Sequence, residues 1–175
     1  MFLVALAAGA ASHSVTGAFG YVLGQAPPAK VAGCRSPYPM TPRIYICPGV
    51  SSFTYVGLET RRNQPTRVSA VRKFETLSLD AGRKACLADL GLIKADILRK
   101  APSLLAVPSY RDGQFWLAEG LQNHMAPTGR TITGRCDIER PKLDRPDYKF
   151  ISMQLSYALS MQEDRQLMML DQAGK

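Results

Sequence analysis

The sequence predicts an α+β fold, and three observations carry that prediction. Over residues 151–162, Ile151, Met153, Leu155, Tyr157, Leu159 and Met161 alternate with Ser152, Gln154, Ser156, Ala158, Ser160 and Gln162. A period of two sustained this long belongs to a strand with one apolar face. Leu79, Cys86, Leu90, Ile93 and Ile97 instead gather on one stripe at helical spacing. Short runs rich in β-branched and aromatic residues fill the remaining body. The expected organisation is an apolar N-terminal helix over 1–24, a proline-rich extended arm over 25–48, and a domain of antiparallel strands over 49–175 with one main helix and a C-terminal β-hairpin.

Residues 1–24 contain no Asp, Glu, Lys or Arg. Phe2 to Leu23 is long enough to cross a hydrocarbon core. Ser12, His13, Ser14 and Thr16 sit mid-span and prefer a protein neighbour to lipid, while Ala8/Ser12 and Gly20/Gly24 keep the four-residue spacing that lets another helix approach. The segment therefore reads as a membrane anchor or as a helix buried between subunits. Two processed readings compete with these. Ala8-Gly9-Ala10 has the small residues of a cleavage site but no charged segment before it, and Val31-Ala32-Gly33-Cys34 has the form of a lipobox separated from the apolar run by Pro27, Pro28 and Lys30.

Six of the twelve prolines fall within 25–48, which excludes a helix and predicts an extended arm. Cys34 and Cys47 bracket that cluster and can close a loop by a disulfide in an oxidising compartment. Four cysteines admit three pairings, however, and four unpaired thiols in a reducing compartment is the alternative.

In the body, "VSSFTYVGL" and "TRVSAVRKF" read as strands. The helix follows from about Asp80, which can cap its exposed amides, to Lys100, with Gly91 as a kink or stop and Pro102 beyond the end. Cys86 lies on the apolar stripe and reads as a buried core thiol. Asp112-Gly113 between two apolar runs predicts a hairpin, "RTITGRCDIE" another strand, and "ERPKLDRPDYK" an exposed connection. The long alternating strand is expected to turn at Glu163-Asp164 into a second arm, "RQLMML".

The chemistry is defined mainly by what is missing. His13 and His124 are the two histidines, no Cys-x-x-Cys occurs, and "TGRTITG" lacks the Gly-Lys-Ser/Thr ending of a phosphate loop. No catalytic residue, metal ligand or cofactor is assigned on these grounds. An enzyme working through dispersed carboxylates leaves no fixed spacing to find. The net charge of +8 is compatible with an anionic partner, but nothing beyond that charge supports nucleic acid. Arg61, Arg62, Arg67, Arg72 and Lys73 form the densest basic stretch, thirteen residues without an acid.

The function expected is that of a non-catalytic accessory or scaffold subunit in a larger, membrane-associated multi-protein assembly. Its partner-facing residues would be Ala8, Ser12, Gly20 and Gly24 on the N-terminal helix, together with the basic 61–73 stretch. One alternative is a virion or secretion-apparatus structural protein with the apolar segment buried between subunits. The other is an exported lipoprotein or binding domain, periplasmic or extracellular, whose N-terminus is removed.

Overall fold

The computed structural model describes residues 14–26, 33–38, 43–74, 78–109, 111, 113–139 and 150–173. Of the helix expected over 1–24, residues 14–24 are described, and these are not helical. Strands β1 (Gly17–Ala18) and β2 (Tyr21–Val22) pair antiparallel as a tight hairpin. Gly20 and Gly24 have φ of 84° and 73°, a region closed to a right-handed helix and open to glycine, so they are turn residues and not helix-packing ones. Val15 and Leu23 are 2% and 1% exposed and belong to the main core. The rest of that expectation, including Ala8 and Ser12, lies outside the described residues. Among the described residues, no helix is long and apolar enough to cross a membrane.

Strands β3 (Arg35–Tyr38), β4 (Arg43–Pro48), β5 (Tyr55–Arg61) and β6 (Gln64–Phe74) form an antiparallel meander. The arm expected to run to residue 48 is thus a sheet strand from Arg43 onward. The boundary expected between 48 and 49 falls beside the β4–β5 ladder, where Cys47 faces Val56 and Pro48 faces Tyr55. Ile44, Tyr45 and Ile46, β-branched and aromatic, suit that strand, and Pro48 sits at its end where a ladder tolerates it. Arg62 and Asn63, both at positive φ (48° and 60°), make the two-residue turn between β5 and β6.

Helix α1 (Leu79–Lys100) runs without interruption through Gly91, which is exposed and neither kinks nor ends it. Its cap is Ser78, whose Oγ accepts from the Ala81 amide, while Asp80 lies in the first turn and complements the positive helix end. Cys86, Leu90 and Ile97 on the expected stripe are buried. Then follow β7 (Leu105–Ala106) and β8 (Gln114–Ala118), the hairpin foreseen around Gly113, and a small separate hairpin of β9 (Leu121–Gln122) and β10 (Ala126–Pro127). Strands β11 (Thr131–Glu139) and β12 (Phe150–Ala158) complete an eight-stranded antiparallel sheet of order β3-β4-β5-β6-β12-β11-β8-β7.

One face of this sheet carries the core. Helix α1 lies across β6, β11 and β12 and meets Val68, Ala70, Ile132, Ile151, Met153 and Leu155. Gly134 of β11 allows the closest approach, because a Cβ there would stand 2.7 Å from Leu90 Cδ1 and 2.4 Å from the Phe115 ring. Cys86 is not a free core thiol: it is disulfide-bonded to Cys136, tying α1 to β11, and Cys34 is bonded to Cys47.

β12 places Ile151, Met153 and Leu155 in the core as the alternation predicts, but Ser152 of the opposite set is also buried and the strand ends at Ala158. The second arm of the expected C-terminal hairpin is instead helix α2 (Met161–Ala173). The reason is local. Ser160 Oγ accepts from the Glu163 amide at 3.2 Å while Glu163 Oε2 accepts from the Ser160 amide at 3.0 Å, a reciprocal Ser-x-x-Glu capping box that starts a helix where a strand would otherwise turn back.

Candidate functional site

The face of the sheet opposite α1 is polar along β8, β11 and β12 and turns apolar towards β4, where Ile44, Ile46, Tyr55 and Val71 line it. Register aligns a row across six strands: Trp116 of β8, Thr133, Ser156, Ser69, Gly57 and Ile46 of β4. Its centre consists of small residues, and Ser69 and Ser156 hydrogen-bond to each other at 2.7 Å through their hydroxyls. Taller side chains flank this floor. Gln114, Arg135 and Gln154 stand along one side, and Arg67 with Glu59 stand on the other. The result is an open cleft of ≈ 350 Å³ lined by strand residues alone. It continues towards β4 through a hollow that shares Glu59, Ser69 and Gln154, and a second adjoining hollow, sharing Glu59, Arg67 and Ala158, reaches α2 at Met161 and Asp164.

Both arginines of the cleft are paired, Arg67 with a carboxylate of the lining and Arg135 with one just beyond it. Arg67 and Glu59, cross-strand neighbours, are 3.1 Å apart, and Arg135 and Asp137, two positions apart on β11 and so on one face, are 2.7 Å apart. Trp116 is half-buried, and its indole Nε1 is shielded from solvent without an acceptor among the described residues. An orphaned buried donor is costly in a folded protein and is ordinarily satisfied by water or a ligand oxygen.

The basic stretch singled out in the sequence does not form one free patch. Arg61 pairs with Asp164 at 2.9 Å and Arg72 with Asp89 at 2.6 Å. Arg62 donates to the Leu170 carbonyl at 2.7 Å, and Lys73 lies over the Phe150 ring at 4.7 Å. Arg61 and Arg62 thereby fasten α2 to the β5–β6 turn. Of the five basic residues, Arg67 is the one brought into the cleft.

A second polar cluster is structural. Glu119 accepts from the Val15 amide at 2.6 Å and from Ser14 Oγ at 3.1 Å. Arg130 donates to the Val15 carbonyl at 3.0 Å and to both oxygens of Glu163. These contacts clasp the N-terminal hairpin, the β9–β10 region and the start of α2 together. Burial pushes the Glu163 carboxyl up, but hydrogen bonds from Arg130 and Ser160 outweigh it and hold the carboxyl below its ordinary value. Because the folded-state value is depressed, the stabilisation is present above the unfolded carboxylate value, about 4.3, and is lost as pH falls through the folded one. Replacing Arg130 by Gln should therefore lower stability by roughly 2 kcal/mol at neutral pH. The deficit should narrow below about pH 4, which denaturant titrations of both chains across that range would measure.

Among the described residues, no group of three or more His, Cys, Asp or Glu side chains is placed to hold a metal ion. His124 lies exposed in the β9–β10 turn. The residues of the cleft were hidden in the sequence because they come from β5, β6, β8, β11 and β12, and only register brings them into rows. One signal was readable: Gln154, Ser156 and Ala158, from the outward set of the alternating strand, are its floor and flank. Comparison with protein-family models, with characterised proteins and with solved structures finds no match to this chain.

Proposed function

We propose that this protein is a non-catalytic binding domain of an oxidising compartment, periplasmic or extracellular, which receives its partner on the sheet face opposite α1. The observation that carries this reading is the cleft itself. A sheet with one face in the core and the other hollowed over five strands has a surface shaped for an occupant, and small polar residues at its centre keep that surface open. The pairing of all four cysteines supports the compartment, since disulfides persist where thiols are not kept reduced. The sheet edges favour association less, because Pro37 in β3 and Pro108 just after β7 remove donors from them.

A second reading rests on α2. Met161, Met168, Met169 and Leu170 are all exposed there, and adaptable methionine-rich surface suits attachment to other subunits of a larger assembly. A pair of variants separates the two surfaces. Full-length chain carrying Ser156→Arg, which fills the cleft floor, should lose a partner that co-purifies with the native protein, while its thermal unfolding stays unchanged. Met168→Glu/Met169→Glu should retain that partner. Retention by Ser156→Arg, or loss through the methionine variant alone, moves the binding surface to α2.

A further inference from the structure

We infer that the occupant of the cleft is an uncharged glycan, an inference that rests on the uncovered face being the binding surface. Three kinds of partner lie along the face of a sheet, and the residues here distinguish them. A helix needs an apolar stripe along its whole length, whereas the apolar residues of this face, Ile44, Ile46, Tyr55 and Val71, are confined to its β4–β6 end and the floor beyond them is Ser69, Ser156 and Thr133. A nucleic acid needs unpaired positive charge. Here Arg67 and Arg135 are each matched by a carboxylate, so the cleft is balanced although the chain carries +8.

A neutral, hydroxyl-rich chain is the complement of such a surface. It brings no charge to desolvate, and hydroxyl and amide side chains such as Ser69, Thr133, Gln114 and Gln154 both donate and accept, as sugar hydroxyls do. Trp116, at one end of the row, is half-buried in the cleft lining and sets an aromatic ring beside the C–H faces of a sugar chain lying there. The row from β8 to β4 crosses five interstrand spacings, about 24 Å, which favours an extended chain over a single sugar.

Trp116 is the one tryptophan of the chain, so intrinsic emission reports this cleft directly. The test titrates the full-length protein with neutral hexasaccharides of glucose, mannose and N-acetylglucosamine, followed by emission and by calorimetry, with a heparin-derived hexasaccharide as the charged counterpart. The expected result is saturable binding of at least one neutral probe with a Kd of about 1 mM or tighter. That binding should be insensitive to added salt and weakened roughly tenfold in Gln114→Ala/Gln154→Ala. No binding by any neutral probe overturns the glycan, as does binding confined to the heparin fragment and lost at high salt. If the neutral probes fail while Ser156→Arg still loses its partner, the ligand class is wrong and the binding face stands; if Ser156→Arg loses nothing, both fall.

Discussion

A chain beginning at residue 49 is expected to lose cooperative unfolding altogether. That truncation removes β3 and β4 from the main sheet, takes Cys34 and Cys47 with it, and strips Val15 and Leu23 from the core. It also leaves Glu119 and Arg130 without the Val15 backbone groups they hold. The two buried aliphatic side chains alone account for about 3–6 kcal/mol, a large part of the marginal stability of a domain. A milder variant tests the same point in an intact chain. Leu23→Ala should cost about 2–5 kcal/mol, read from the shift of the denaturant midpoint at unchanged slope. Native-like unfolding of the truncated chain would show that the segment before residue 49 lies outside the cooperative core.

The second large effect concerns the link between α1 and β11. Replacing Cys86 and Cys136 together by Ala removes a cross-link that closes a separation of 50 residues. On the chain-entropy account this costs about 4 kcal/mol, against about 3 kcal/mol for the 13-residue separation of Cys34 and Cys47. For a chain of this size the larger loss lowers Tm by roughly 12 °C. Alanine is the appropriate replacement because Cys86 is fully buried against Leu90 and its neighbours, where a serine hydroxyl would need a partner. Calorimetry of the double variant beside Cys34→Ala/Cys47→Ala would establish the order, and equal midpoints would contradict it.

What was legible in the sequence was periodicity. The alternation of 151–158 and the helical stripe of 79–100 each report a face turned to a core, and both faces are where the pattern put them. What escaped depended on one or two residues overruling a pattern. Gly20 and Gly24 look like small helix-packing residues, yet positive φ makes them turns. Ser160 continues the polar half of an alternating strand, but with Glu163 three positions on it caps a helix. Cys86 and Cys136 sit on different elements, and no local signal joins them. The cleft was least legible, since Trp116, Thr133, Ser156 and Ser69 become neighbours only through the ladders of β8, β11, β12 and β6.

The central claim is that the uncovered sheet face, and not the exposed helix, is where this protein meets its partner. Hydroxyl-radical footprinting addresses both surfaces in one experiment, because Trp116 and Tyr55 on the face and Met168 and Met169 on α2 are readily oxidised side chains. The full-length chain would be compared in purified form and in the fraction of its own cells where it resides. The account predicts that Trp116 and Tyr55 become protected in the cellular fraction while Met168 and Met169 oxidise as before; protection of these two methionines with Trp116 unchanged would contradict it.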